Sequence, residues 1–427
     1  GEYHFDNVPL LRDIDSTELL LNHLNCETQR EGTQMRVLVK KPASLKAPYD
    51  IVRKMRASIL CLGPLLARYG EAKVSLPGGC AIGSRPINLH IEPLRQLGAD
   101  IEIENGYVIA KADRLVGDRI VFDFATVGGT ENIMMAATLC KGTTILENVA
   151  KEPEIVDLAN CLRGMGAQIE GDGSSVITIE GVDELKPVQH TVIPDRIEAG
   201  TLLLAGAITG GDVTVTKCVP KDLDSLINKL IDCKFDIEVG HDWVRVKPCS
   251  EWGATDVDTA PHPGFPTDLQ AQFMALMTQA TGTSVITERI FENRFMHVQE
   301  LARMGANITP KSQVAIVPMG FCFPRYNESG SDLPPPAICA KTWRDKVLAT
   351  LPRIRLTLII GTYAMGYHLG KKMKVTEAVQ SWREREDDTF VLPHPSWRNT
   401  GWLKKNPWFD EEVVPQLRAR IKDVLND

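Results

Sequence analysis

Gly70-Glu-Ala-Lys-Val-Ser-Leu-Pro-Gly-Gly79 is one of five short segments that open on glycine and continue as alternating, strand-like sequence. The others are Gly1-Glu-Tyr-His-Phe-Asp-Asn-Val8, Gly142-Thr-Thr-Ile-Leu-Glu-Asn-Val149, Gly211-Asp-Val-Thr-Val-Thr-Lys-Cys-Val219 and Gly282-Thr-Ser-Val-Ile-Thr-Glu-Arg-Ile290. Their first residues lie 69, 72, 69 and 71 positions apart. A second marker runs in phase. The phrases Leu97-Gly98-Ala99-Asp100-Ile101, Met165-Gly166-Ala167-Gln168-Ile169 and Met304-Gly305-Ala306-Asn307-Ile308 have the form of a helix end followed by a strand, with looser echoes at Leu24-Asn25-Cys26 and Cys233-Lys234-Phe235-Asp236-Ile237. Two markers at one period imply copies of a single supersecondary unit. The series begins inside a copy and ends near Ile316.

Within one copy the elements can be ordered. Ile51, Val52, Met55, Ile59, Leu62 and Leu66 recur at helical spacing and predict one helix from Tyr49 to Tyr69. A strand from Lys73 to Leu76 and a loop follow, then a shorter helix closed at Gly98, where glycine accepts the left-handed conformation. Asp100-Ile-Glu-Ile-Glu-Asn-Gly-Tyr-Val-Ile109 reads as strand, Asn-Gly turn and strand. The stretches from Ala125 to Cys140 and from Pro194 to Thr209 are apolar on nearly every side, so these helices must be enclosed by protein. The expected fold class is therefore α/β, with sheets surrounding buried helices and several ~70-residue units in each domain.

Composition narrows the function classes. The chain has 427 residues, 43% apolar and 24% charged, with a net charge of −7, as in an ordinary globular protein of two or three domains. Its most apolar run, Ala57-Ser-Ile-Leu-Cys-Leu-Gly-Pro-Leu-Leu-Ala67, is too short to span a bilayer and reads as a buried helix. The ten cysteines show no CxxC or CxxH spacing, which predicts reduced thiols in a cytoplasmic setting and no metal site.

Two constellations carry chemistry. In Leu76-Pro-Gly-Gly-Cys80-Ala-Ile-Gly-Ser-Arg85-Pro86, three glycines expose backbone N–H groups, Arg85 can clamp phosphate or carboxylate, and Cys80 titrates near neutrality where cations surround it. A plain turn with an inert thiol is the bland alternative. Against it stands Arg56 on the apolar helix upstream, where a cation requires an anionic partner. The second constellation is Pro261-His-Pro-Gly-Phe-Pro-Thr267-Asp268, which opens a helix; Asp268 is either its N-terminal cap or a general base aimed at a hydroxyl. Phe291-Glu292-Asn293-Arg294-Phe295-Met296-His297 follows a repeat strand in the place that the Cys80 loop holds in its own copy. Equivalent loops of different copies can then face one site; otherwise Glu292 and Arg294 form a surface ion pair.

Gly78 to Pro86, Lys151-Glu-Pro-Glu-Ile-Val-Asp157, Pro194-Asp-Arg-Ile-Glu-Ala-Gly200, Thr259 to Asp268 and Phe291 to His297 together resemble the UDP-N-acetylglucosamine 1-carboxyvinyltransferases, a family of enolpyruvyl transferases, from residue 1 to about 312. The resemblance implies inside-out α/β barrel domains of three units each, here 1–193 and 194–316. It also implies transfer of the enolpyruvyl group of phosphoenolpyruvate to the 3'-hydroxyl of UDP-N-acetylglucosamine, with loss of phosphate, in peptidoglycan precursor synthesis and without a cofactor. By the same resemblance Cys80 is the general acid or carries a covalent adduct, Asp268 faces the sugar hydroxyl, and Arg56 and Arg85 neutralise phosphate. Arg85, Pro86, Ile87, Asn88, Leu89 and His90, with Thr126, Val127 and Gly128, match segments that hold the nucleotide; Ile290 offers a carbonyl to the sugar amide, and Arg294 joins the substrate set. Phe124 stands where a lysine is usual, which implies weaker nucleotide binding. The family pattern also has an earlier strand with a Lys-Asn pair and a last repeat with further arginines, both outside the match. Their absence implies impaired activity.

Residues 317–427 are different material. They hold five of the seven tryptophans and 17 Lys and Arg against 13 Asp and Glu, where the preceding part holds 31 against 42. Pro318-Met-Gly-Phe-Cys-Phe-Pro324, Thr357-Leu-Ile-Ile-Gly-Thr-Tyr-Ala364 and Leu392-Pro-His394-Pro-Ser-Trp-Arg398-Asn399 resemble the C-terminal half of a uracil-DNA glycosylase-like family. That resemblance implies a C-terminal α/β fragment in which His394, Arg398 and Asn399 meet DNA around a flipped base. Hence the alternative function: a DNA-interacting glycosylase-like protein fused to a non-catalytic transferase body. The acidic main body favours small anionic substrates over nucleic acid, which wants a broad basic face.

Overall fold

The computed structural model describes residues 1–42, 44–53, 55–76, 87–291, 293–309, 319, 337–349, 354–369, 373–384, 389–394 and 400–426. They form two compact units, Gly1–Ile308 and Thr309–Asp427.

In the first unit the period seen in the sequence becomes a repeated sheet. The first sheet holds β1 (Glu2–Asp6), β2 (Cys26–Glu31) and β3 (Gln34–Val39), and the second β4 (Lys46–Ala47), β5 (Glu71–Ser75), β6 (Asp100–Glu104) and β7 (Tyr107–Lys111). The third holds β8 (Arg119–Val121), β9 (Thr143–Glu147), β10 (Gln168–Glu170) and β11 (Val176–Glu180), after which β12 (Gln189–Thr191) returns to lie parallel to β1. All three sheets then have one order, β12-β1-β3-β2, β4-β5-β7-β6 and β8-β9-β11-β10: a leading strand parallel to the glycine-opened strand, which pairs antiparallel with the return arm of a hairpin. Farther along, β13 (Val213–Thr216), β14 (Ile237–Val239) and β15 (Trp243–Val246) make a three-stranded sheet, and β16 (Val257–Asp258) pairs with β17 (Ile286–Thr287).

The helices are α1 (Arg12–His23), α2 (Tyr49–Val52), α3 (Leu62–Tyr69), α4 (Asn88–Gln96), α5 (Val127–Ala137), α6 (Pro153–Gly164), α7 (Arg196–Ile208), α8 (Asp224–Asp232), α9 (Gln270–Met277) and α10 (Val298–Arg303). As the apolar sequence of α5 requires, Ile133, Met134, Ala136 and Ala137 are fully buried, enclosed with Leu62, Leu66 and Leu94 by the inner faces of the second and third sheets. Each buried Leu, Ile or Met side chain among them contributes about 1.5–3 kcal/mol by leaving water. A separate core gathers Leu203, Leu226, Leu230, Val244, Phe273 and Leu276 in the second half. Helices inside and sheets outside is the inside-out α/β arrangement.

The second sequence marker is a helix stop with one geometry. After α4, Gly98 takes φ +98°, its N–H donates to the Arg95 carbonyl and that of Ala99 to the Leu94 carbonyl. Gly166 and Gly305 do the same, and Asn25 and Lys234 hold the equivalent positions with positive φ. This closure satisfies the last helical carbonyls and, after Gly98 and Gly166, throws the chain straight into β6 and β10. The Asn105-Gly106 turn joins β6 to β7 with positive φ at both residues, as the hairpin reading expects.

One expectation fails. The helix predicted from Tyr49 to Tyr69 is broken: α2 stops at Val52, Met55 is extended (φ −143°), and a 3-10 turn, Arg56–Cys61, precedes α3. Pro64 explains the restart. Its missing N–H and its ring are tolerated in the first turn of α3, but in a continuous helix they would remove a bond to residue 60 and press on that carbonyl. At Gly63 helices α3 and α5 are in close contact, since a Cβ there would lie 2.5 Å from the backbone oxygen of Asn132 on α5.

In the second unit a parallel pair, Thr357–Ile360 with Thr389–Leu392, packs Ile359 and Val391 against Ala378, Val379 and Val413. No helix among the described residues is long and apolar enough to cross a membrane.

Candidate functional site

Cys80, Arg85, Pro86, Arg398 and Asn399 lie outside the described residues, as does Glu292. The chain is described again from Ile87, whose carbonyl accepts the His90 N–H (2.9 Å) as α4 begins with Asn88 and Leu89. Pro93 lies within α4 and cannot donate to the Leu89 carbonyl. That oxygen sits 3.3 Å from where a Cβ on Gly129 would be, so the first turns of α4 and α5 touch. Thr126 caps α5, its hydroxyl accepting the Gly129 N–H (3.3 Å). The N–H groups of Val127 and Gly128, being in the first helical turn, have no partner within the helix. They form a donor pair of the kind anions seek at a helix start.

His90 faces this turn. A Cβ on Gly128 would lie 3.5 Å from His90 Cε1 and 4.0 Å from Nε2. The ring is buried, and burial first, then the charge of Arg56, pushes its pKa down to about 4. Arg56 is half-buried at the start of the 3-10 turn, not on a continuous helix as the sequence suggested. The structure brings together three segments, those carrying Arg56, His90 and Thr126–Gly128; the resemblance gave the last two to the nucleotide and Arg56 to phosphate.

The second constellation is also assembled. Asp268 lies in the 3-10 turn Thr267–Leu269 that leads into α9 and caps nothing; its Oδ1 instead accepts from Arg294 Nη2 at 2.5 Å. Arg294 is mostly buried and its guanidinium stands 5.8 Å from the Phe291 ring centre, whereas the Asp268 side chain is 55% exposed. Arg294 thus pairs with Asp268 across two distant loops; the reading of Arg294 with Glu292 involves a residue outside the described ones. Burial, then Arg294, lowers the pKa of His297. Sequence reasoning missed Glu288, which organises the same place. Its carboxylate accepts from Thr259 Oγ1 (2.9 Å), Thr267 Oγ1 (2.8 Å) and the N–H groups of Ile290 (2.8 Å) and Phe291 (3.1 Å). One side chain thereby fixes the Asp268 turn and the Ile290 backbone together. Its only signal was its place just after a repeat strand.

Contacts join the two halves of this unit. The His262 N–H donates to Glu152 (3.4 Å), and Arg196 holds Glu154 through Nε (3.0 Å) and Nη2 (3.4 Å). Beside them Glu131 is raised to about 7, by burial first and then by Glu154 and Glu152. A cavity of about 590 Å³ between α8 and β17, with Lys229, Asp258 and Arg289 in its wall, includes none of the predicted site residues. In the second unit, Gly361 at the end of one strand lies beside His394 at the end of its neighbour: a Cβ there would be 3.5 Å from the imidazole Cδ2. Two of the three tail motifs that resembled a glycosylase-like family, through Gly361 and His394, meet at these parallel strand ends.

Comparison with known proteins extends this picture. Residues 1–328 match the profile of the EPSP synthase (3-phosphoshikimate 1-carboxyvinyltransferase) family, and residues 279–418 that of the Uracil DNA glycosylase superfamily. The UDP-N-acetylglucosamine 1-carboxyvinyltransferase of Bdellovibrio bacteriovorus is 63% identical over 317 residues, 74% of this chain and 77% of that protein. The proteins of the same name from Geotalea daltonii and Geobacter metallireducens are 55% identical over 317 residues and 56% over 311, with 74% and 73% of this chain and 76% and 75% of theirs covered. The enolpyruvyl transferase NikO from Streptomyces tendae superposes with a TM-score of 0.63 at 22% identity, over 71% of this chain and 72% of its own. EPSP synthase from Acinetobacter baumannii gives 0.56 at 19%, over 73% and 74%, and both likenesses concern the fold. With repeated sheets around buried helices, site loops drawn from different repeats, and this degree of identity over three quarters of its length, the chain belongs to the EPSP synthase family of enolpyruvyl transferases.

Proposed function

We propose that this chain transfers the enolpyruvyl group from phosphoenolpyruvate to the 3'-hydroxyl of UDP-N-acetylglucosamine and releases phosphate. The observation that carries the reading is 63% identity over 317 residues to a bacterial protein of that name. In the chemistry, the sugar oxygen adds to C2 of the enol while a proton adds to its methylene carbon. Expulsion of phosphate from C2 and loss of a proton from the new methyl group restore the double bond in the product ether. Asp268 is suited to take the hydroxyl proton: Arg294 holds Oδ1, and Oδ2 makes no hydrogen bond among the described residues. Cys80 would deliver or recover the proton at carbon or carry the adduct. Arg56 and Arg85 would offset the charge of two anions in one cleft. Ile87 to His90, with Thr126 to Gly128, would hold the uridine diphosphate, and Ile290 the sugar amide.

The reading carries with it a cytoplasmic location and a division into domains at 1–193 and 194–316, followed by a glycosylase-like segment at 317–427. The DNA-interacting alternative is not favoured, since the profile behind it covers residues 279–418 only. Phosphate release by the full chain, with each substrate alone and both together, is the test. Release that requires both supports the proposal. No release and no binding of UDP-N-acetylglucosamine, alongside binding of uracil-containing DNA, would reverse it.

A further inference from the structure

Behind the α4–α5 contact lies a polar side chain to which the proposed reaction gives no part. Asn132, on α5, is wholly buried. Its Oδ1 accepts the Gly63 N–H at 2.8 Å, which fixes which end of the amide is oxygen and leaves Nδ2 to donate to His90 Nδ1 at 3.1 Å and toward the Ile59 carbonyl at 3.5 Å. A nitrogen that accepts cannot carry the proton, so the imidazole hydrogen resides on Nε2. Nε2 has no hydrogen-bond partner among the described residues, and it borders the turn where Val127 and Gly128 present their N–H groups near the charge of Arg56.

We propose that Asn132 is a positioning residue that locks His90 as the Nε2–H tautomer, so that its ring donates to the diphosphate of the nucleotide substrate alongside the first turn of α5. The proposal rests on the carboxyvinyltransferase reading for the identity of the ligand. Its geometry rests on the Gly63–Asn132–His90 chain alone. A neutral donor suits this place: it adds a hydrogen bond to phosphate without placing a second buried cation beside Arg56. The small residue at 63 belongs to the same device, because a Cβ there would collide with Asn132 Oδ1 at 2.5 Å.

The test combines nitrogen NMR of the full chain labelled in its histidine rings with calorimetric binding of UDP-N-acetylglucosamine. Expected is a protonated Nε2 and an unprotonated Nδ1 for His90 from pH 5.5 to 8. In Asn132→Leu, a substitution of similar volume, this preference disappears. Affinity then falls by about tenfold to a hundredfold, the span of a hydrogen bond to a charged group, and His90→Phe falls equally with no further loss in the double variant. His90→Gln, whose amide can present an N–H near the place of Nε2, recovers most of the loss. A parent His90 protonated on Nδ1, or titrating near pH 6.5, overturns the proposal. So does the expected tautomer with unchanged affinity in both single variants, provided each keeps the parent's cooperative melt. If the parent shows the expected tautomer yet binds no UDP-N-acetylglucosamine, the substrate assignment and the proposal's ligand fall together, while the NMR result still establishes the tautomer lock.

Discussion

The three sheets between Glu2 and Thr191 each hold four strands in one order, whereas those between Val213 and Thr287 hold three and two among the described residues. Both regions are built from one unit and enclose equally apolar helices, α5 in one and α7 with α9 in the other. What differs is the slot beside the glycine-opened strand. In the first region a parallel leading strand fills it three times; among the described residues β13 has none, and the return hairpin seen beside β5 and β9 has no counterpart beside β17. A repeat unit alone cannot bury its own core, and an open strand edge leaves peptide groups to water. With fewer strand pairings among the described residues, the second region, with the Asp268–Arg294 pair, is expected to open before the first.

The largest effect tests whether that less-covered region supplies chemistry. Asp268→Ala should lower phosphate release by about 10²–10⁴-fold, the range for losing a general base, with binding of UDP-N-acetylglucosamine retained. An unchanged rate would leave the second region as scaffold. Next come paired core truncations. Leu94→Ala and Leu230→Ala each remove a fully buried side chain and should cost about 2–5 kcal/mol, but to different transitions. In calorimetry Leu230→Ala should lower only the first-melting step, and amides of β13 to β17 should exchange with solvent faster than those of β1 to β12. A single cooperative transition shifted by both variants would break the comparison.

A smaller, pH-dependent effect concerns the contacts between the regions. Because the Glu131 carboxyl is raised to about 7, the folded chain binds a proton there that the unfolded chain has released, and stability is lost as pH rises from about 4.5 to 7. Glu131→Gln should therefore stabilise by roughly 2 kcal/mol at pH 8 and leave denaturant midpoints unchanged below pH 4.5. Equal shifts at both pH values would assign the effect to packing. Smallest is Lys234→Gly: this residue sits at φ +73°, where Gly98, Gly166 and Gly305 serve in other units, so the exchange should raise the stability of the second region by about 1 kcal/mol. Thermal melts would read it.

Much of this contrast was legible in the chain. The period of Gly70, Gly142, Gly211 and Gly282 announced the strands; Gly98, Gly166 and Gly305 announced the helix stops, because positive φ restricts which residues a position tolerates. Asn105-Gly106 marked its hairpin for the same reason. The break between Val52 and Arg56 was not legible, since apolar spacing continues through it and only Pro64 hints that the helix must restart. Half of the candidate site was readable as motifs. Glu288 and Asn132 were not, because their roles come from partners far off in sequence: Thr259 and Thr267 for one, Gly63 and His90 for the other. Neither pairing has a local signature.

The return of β12 to β1 has a consequence for biogenesis. His4 pairs with Gln189, and Asn7 Nδ2 donates to the Val192 carbonyl across 185 positions of chain. Closure of this ring of sheets must await synthesis of the last strand, and ordering so long an intervening loop makes the step entropically slow. On the ribosome, the earlier units would wait as partly collapsed intermediates with an open first sheet, and the emergence of residues 189–192 would time the moment at which the region becomes native.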